Sequence, residues 1–179
     1  WKMRYSAMQN VTINLPRIAY ESHQDDEKLF RLLEEKIELV AQAHLQKKEF
    51  IGKLLGMGKF GPLALLTMNL DGEPYYRFNK ASFLIGMVGM NELVQYHTGQ
   101  QMHESKEATK FGLKVISYMK TESERIGEEF GLKMPLEQTP AESTAYRFAK
   151  LDMKYYPLQS ATVIKGNKSS GEVYYTNST

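Results

Sequence analysis

The sequence predicts a mixed α/β fold built on a parallel sheet, and three observations predict it. Strand-like and helix-like segments alternate along the chain. The stretch Ala81–Val88 is a nearly continuous apolar run, as expected of a strand covered on both faces. Two long segments carry apolar residues at helical spacing, each lying between strand-like stretches. Parallel strands need crossovers, and helices supply them. Both a section of an α/β barrel and an open doubly wound sheet satisfy this order.

The first strand lies in Gln9–Arg17, QNVTINLPR. Val11, Ile13 and Leu15 alternate with Thr12 and Asn14, a period of two. Pro16 cannot donate to a ladder and should end the strand. Asn10, Thr12 and Asn14 share the face opposite the aliphatics. Such a face either lines a barrel cavity or forms the wet side of an edge strand. Before it, Trp1–Ala7 is an aromatic and basic lead-in. A helix is expected over Asp25–Leu55, with Ser22 as N-cap and Asp25, Asp26 and Glu27 in its first turn. Leu29, Leu32, Leu33, Ile37, Val40 and His44 make its buried stripe, where His44 reads as a packing residue rather than a ligand. Gly56, Gly58, Gly61 and Pro62 break this helix. GMGKFG lacks the Gly-Lys-Ser/Thr ending of a phosphate loop and reads as a turn. Leu63–Lys80 is expected to be irregular or a hairpin turning at Asp71-Gly72. Tyr75–Phe78 within it reads as core packing.

After the apolar strand, Asn91 opens a short helix that stops near Gly99. His97 and His103 flank that stop without a carboxylate or thiolate set, so no metal site is assigned. A second long helix spans Glu104–Phe130, capped by Ser105 and ended by Gly131. Ala108, Phe111, Val115, Tyr118 and Met119 form its buried stripe. Lys133–Gln138 reads as a strand. Pro140–Leu151 reads as a helix with Pro140 as its first residue. Tyr155–Lys165 is expected to be extended, Gly166–Gly171 a polar turn, and Glu172–Asn177 a last strand of the sheet.

Composition bounds the function. The 179 residues make one domain or part of a larger one, and 42% hydrophobic content suffices for a core. Lys and Arg number 23 against 21 acids, a net charge of +2. That balance argues for neither a nucleic acid nor a membrane partner. The start is not a signal peptide, so a cytoplasmic location is expected. Cysteine is absent, which excludes disulfides, thiolate metal sites and a cysteine nucleophile within these residues.

Three groups could carry chemistry. The helix start after Thr139-Pro140 offers free N–H groups with the hydroxyls of Thr139, Ser143 and Thr144. It is either an anion seat or an ordinary capping turn. Asn10 and Asn14 offer neutral amides that donate and accept. Asn177 and Ser178 lie near a strand's carboxyl end, where ligands of parallel sheets gather, or on a plain surface strand.

Four stretches, in order, resemble one family: QNVTINLPRIAYES at Gln9–Ser22, GMVGMNELVQYHTG at Gly86–Gly99, QTPAESTAYRFAKLD at Gln138–Asp152, and YYTNST at Tyr174–Thr179. They are similar to the anaerobic, class III glycyl-radical ribonucleoside-triphosphate reductases. The resemblance implies an α/β barrel of two parallel half-sheets. Residues 1–179 are then expected to be one segment of that catalytic barrel domain. The radical-bearing cysteine and glycine would lie in flanks outside it, and the segment alone would be inert. The resemblance implies Asn10 first and Asn14 second as catalytic amides facing the ribose. It implies Thr139, Ala141, Ser143 and Thr144 as phosphate contacts, with Asn177 and Ser178 also facing substrate. For the parent it implies a glycyl radical, formate as reductant, zinc, and ATP and dNTP effectors, none of them cofactors of this segment. The implied partners are a ribonucleoside triphosphate, the rest of the reductase chain, a radical S-adenosylmethionine activating enzyme and a second copy in a homodimer. Two other readings are a non-catalytic nucleotide-binding or structural module and a different glycyl-radical enzyme. QTPAES together with NVTINLPR speaks against the latter.

Overall fold

Three parallel strands lie side by side in chain order in the computed structural model, which describes residues 6–69 and 71–177. They are β1 (Ala7–Asn14), β2 (Ser82–Val88) and β3 (Leu136–Gln138). Thr12 pairs with Gly86, Asn14 with Val88, and Gly86 in turn with Glu137. Among the described residues six α-helices connect or cover the strands: α1 (Leu15–Ser22), α2 (Asp26–Gly56), α3 (Met90–Thr98), α4 (Lys106–Phe130), α5 (Glu142–Tyr155) and α6 (Pro157–Val163). A two-stranded antiparallel hairpin, β4 (Lys165–Asn167) and β5 (Glu172–Tyr174), follows. Among the described residues no helix is long and apolar enough to cross a membrane.

The alternation in β1 sets the layers. Ile13, Phe83 and Ile85 point to one face and pack in a core with Leu29, Leu33, Ile37 and Val40 of α2 and Val115, Met119 and Ile126 of α4. Val88 faces the other way, into a smaller cluster with Ala145 and Ala149 of α5 and with Val173 and Tyr175. His44 is fully buried, its ring 5.4 Å from that of Phe83 and its Nε2 3.1 Å from the Leu84 carbonyl. It packs, as the stripe implied. Burial holds its pKa below the ordinary histidine range against the opposing pull of that carbonyl.

Several boundaries differ from expectation, each for a local reason. α2 is capped by Asp25, whose carboxylate accepts from the Lys28 N–H at 2.8 Å. Ser22 instead ends α1 and donates its hydroxyl to the Ala19 carbonyl. Pro16 opens α1, a helix the sequence reading passed over, because a proline suits a first turn as well as a strand end. Ser105 does cap α4, accepting from the Ala108 N–H at 3.1 Å, and Gly131 at φ 63 ends it. Pro140 lies before α5 rather than in it. The segment expected to be extended holds α6, which Pro157 opens. Glu172–Tyr174 pairs only with β4, so the last strand is a hairpin arm packed on α5 and not a strand of the parallel sheet.

Beyond His44 no residue of α2 is buried. The chain then winds through short 3-10 turns. Tyr75 N–H to Met68 C=O at 2.7 Å and Tyr76 N–H to Leu66 C=O at 3.0 Å tie its arms like a hairpin, without strands. Tyr75 is exposed rather than in the core.

Two measurements check this packing. Leu33 is fully buried, so Leu33→Ala should lower unfolding stability by about 3 kcal/mol in chemical denaturation. His44 has a folded pKa below its unfolded one, so its contribution is complete above the unfolded value and is lost as pH falls below it. The melting-temperature gap between wild type and His44→Gln should therefore be widest near pH 8 and narrow toward about pH 5.

Candidate functional site

Even-numbered residues of β1 carry the polar face. Because paired residues of a sheet project to the same side, Asn10, Thr12, Gly86 and Glu137 share it. Gly86 has no side chain, and the space a Cβ would take is already occupied. Such an atom would lie 2.5 Å from Asn10 Oδ1, 2.6 Å from Thr12 Oγ1 and closer still to Thr139 Oγ1. Glycine is required there by this close approach, not by a turn.

The Asn10 amide is oriented by its neighbours. Its Nδ2 donates to the Glu137 carboxylate in a short contact and lies 3.5 Å from Thr139 Oγ1. Its Oδ1 is buried and has no protein partner. Asn10 and Thr139, 129 positions apart in sequence, thus meet on one face. Thr139 follows β3 directly. Two residues on, Ala141 forms the N-cap of α5 with no side-chain bond to the first turn. Ser143 and Thr144 lie in that turn, Ser143 exposed and Thr144 half-buried. First-turn N–H groups have no partner within their own helix, so this start presents donors. Glu142, also in the turn, is exposed.

Asn14 sits one layer deeper. Its Nδ2 donates to Asp152 Oδ2 of α5 at 2.8 Å, and its Oδ1 is buried without a partner. Asp152 is fully buried. It also accepts from Arg17 Nε at 2.8 Å, from Arg17 Nη2 in a short ion pair, and from the Tyr175 hydroxyl at 3.0 Å. The Tyr175 and Tyr20 hydroxyls lie 3.0 Å apart. Burial pushes both phenols well above the ordinary tyrosine range.

The segment after β5 returns to the carboxyl ends of the strands. The Gly89 N–H donates to the Thr176 carbonyl at 2.8 Å, and Gln138 Nε2 donates to the Asn177 carbonyl at 3.1 Å. Thr176 donates its N–H and hydroxyl to the buried Glu92 at 3.1 and 2.7 Å. Burial raises the Glu92 pKa, against the lowering effect of these bonds. Asn177 therefore stands beside the end of β3. Ser178 lies outside the described residues. His97 bonds Asp26 Oδ1 at 2.7 Å, and among the described residues no group of three His, Asp or Glu side chains could hold a metal.

Sequence reasoning missed Glu137, Arg17, Asp152 and Tyr175. Glu137 was readable: in LEQT it shares parity with Thr139, so a strand there puts both on one face. The others form a network around the buried Asp152 whose members come together only on folding.

Polar groups on one face of parallel strands, beside an open helix start near their carboxyl ends, define a section of an α/β domain of the kind that gathers ligands at those ends. The sequence pattern of the family described as anaerobic ribonucleoside-triphosphate reductase matches residues 2–179, and the chain belongs to that family. It is 25% identical over 178 residues to the Escherichia coli anaerobic ribonucleoside-triphosphate reductase, covering 94% of this chain and 24% of that protein. It is 28% identical over 178 residues to the Haemophilus influenzae protein of the same description, again covering 94% and 24%. The chain thus spans about a quarter of the length of these curated relatives. Its fold matches the crystal structure of the Thermotoga maritima anaerobic ribonucleotide reductase with glycerol in the active site. The TM-score there is 0.76 at 24% identity, over 90% of this chain and 26% of that one. A second solved anaerobic ribonucleotide reductase matches with a TM-score of 0.75 at 25% identity, over 89% and 25%.

The crowding at Gly86 is directly testable. Gly86→Ala should destabilise the protein by about 1–3 kcal/mol in denaturant unfolding, because three oxygens must move to admit one methyl group.

Proposed function

We propose that this chain is part of the catalytic barrel of an anaerobic enzyme that reduces ribonucleoside triphosphates to deoxyribonucleotides. One observation carries the reading: Asn10, Glu137 and Thr139 meet over Gly86, two residues from the open start of α5. A nucleotide presents a sugar and a phosphate chain, and these two groups match its two ends. Asn10 Oδ1, left without a partner while Nδ2 is held, accepts from a ribose hydroxyl. The first-turn N–H groups of α5, with the hydroxyls of Thr139, Ser143 and Thr144, take phosphate oxygens. Ala141 contributes through its backbone at the cap. Asn14 is a second catalytic amide, offering its own Oδ1, and Asn177 and Ser178 are further substrate contacts in this reading. Solved Thermotoga maritima relatives include complexes with dATP and CTP and with dATP in a specificity site, which supports a nucleotide ligand and nucleotide effectors here.

The radical chemistry belongs to other parts of the parent. With no cysteine in its 179 residues, this chain supplies neither a thiyl radical nor a thiolate zinc site. In this reading the parent carries the glycyl radical and the zinc, uses formate as reductant, is activated by a radical S-adenosylmethionine enzyme, and works as a cytoplasmic homodimer. Closure of the three strands into a barrel with the remaining half-sheet belongs to the same proposal. The protein's share of the work is positioning.

Kinetics of the full-length protein separate the two ends. Asn10→Ala should lower kcat about 100-fold with a small change in KM, and Ser143→Ala should raise the KM for the triphosphate about tenfold. Unchanged kcat/KM in both variants overturns the assignment.

A further inference from the structure

Asp152 ties together the two halves of the proposed site. It lies on α5, the helix whose start is the phosphate seat, and it touches no solvent. Its four donor contacts come from three other segments: Asn14 at the end of β1, Arg17 in α1, and Tyr175 after β5. Elsewhere α5 meets the sheet through Ala145 and Ala149, with Phe148 and Met153 beside them, packed with Val88 and Tyr175. Apolar contacts have less directional preference than hydrogen bonds, so the buried Asp152 network fixes the position of α5 along its axis. A carboxylate paired with a guanidinium only accepts, so it turns the Asn14 amide nitrogen inward and leaves its Oδ1 unpaired.

We infer that Asp152 is a positioning residue that sets the spacing between the ribose-facing strand β1 and the phosphate-facing start of α5. The inference rests on the functional reading above. It says that Asp152 touches no substrate atom and acts through Asn14, Arg17 and the placement of α5. Removing its charge leaves the phosphate seat intact and misaligns the amides of β1 against it. A ligand that spans both halves then suffers, and a ligand that occupies only one does not.

The test uses the full-length protein with Asp152→Asn, which preserves shape, and with Arg17→Lys, which keeps the charge and removes the fork. The readouts are kcat and KM for a ribonucleoside triphosphate, and competitive inhibition by inorganic tripolyphosphate as a phosphate-only probe. Asp152→Asn should raise KM about tenfold and lower kcat about tenfold, while the tripolyphosphate inhibition constant moves less than about twofold. Arg17→Lys should show the same pattern at about a third of the size. Should Asp152→Asn fail to fold, Arg17→Lys carries the test alone, since its side chain reaches the surface. An unchanged KM overturns the inference, as does tripolyphosphate inhibition weakening in step with KM, which would mean that the phosphate seat itself has collapsed. If the wild type turns over but Asn10→Ala and Ser143→Ala match it, the functional reading has failed instead, and this inference falls with it.

Discussion

Asp152 accepts from Asn14, Arg17 and Tyr175 without any contact with solvent. A carboxylate in that position loses its hydration, and its partners must replace the lost bonds. Arg17 supplies a fork, Asn14 an amide proton and Tyr175 a hydroxyl proton. The sheet, the last helical layer and the segment after β5 are therefore joined by directional bonds as well as by apolar contact. Apolar packing alone tolerates small sliding motions, and this network does not.

Around that anchor the polar face is shaped by one missing side chain. With Gly86 in the middle strand, oxygens from β1 and from the residue after β3 reach over β2 and meet. Any side chain there would hold Asn10 and Thr139 apart. The chain thus places its amide group and its helix start on the same side, while the opposite face is closed by α2 and α4. The face toward α2 and α4 is apolar, and the other carries the polar groups, with α5 packed over the Val88 end.

Membership of the anaerobic ribonucleoside-triphosphate reductase family fits this division of labour. The polar face presents neutral amides, hydroxyls and the Glu137 carboxylate, beside the N–H groups of a helix start.

How much of this was legible depended on the range of the interaction. The strand period in β1, the stripes of α2 and α4, the Ser105 cap and the Gly131 stop were readable because each arises from neighbours within about one helical turn. The polar face of Asn10, Thr12 and Asn14 followed from the same period. Local signals failed where two answers share one pattern. Pro16 suits a strand end and a helix start alike, and EVYYTN reads the same in a hairpin as in a sheet. Asp152 looked like any polar residue at the end of an amphipathic helix, since its partner Asn14 lies 138 positions away. The sequence by itself determined which side of each element is apolar, because that depends only on residue order and backbone period. Tertiary structure alone decided which polar groups meet, because strand register and the seating of α5 are long-range choices that no short window contains.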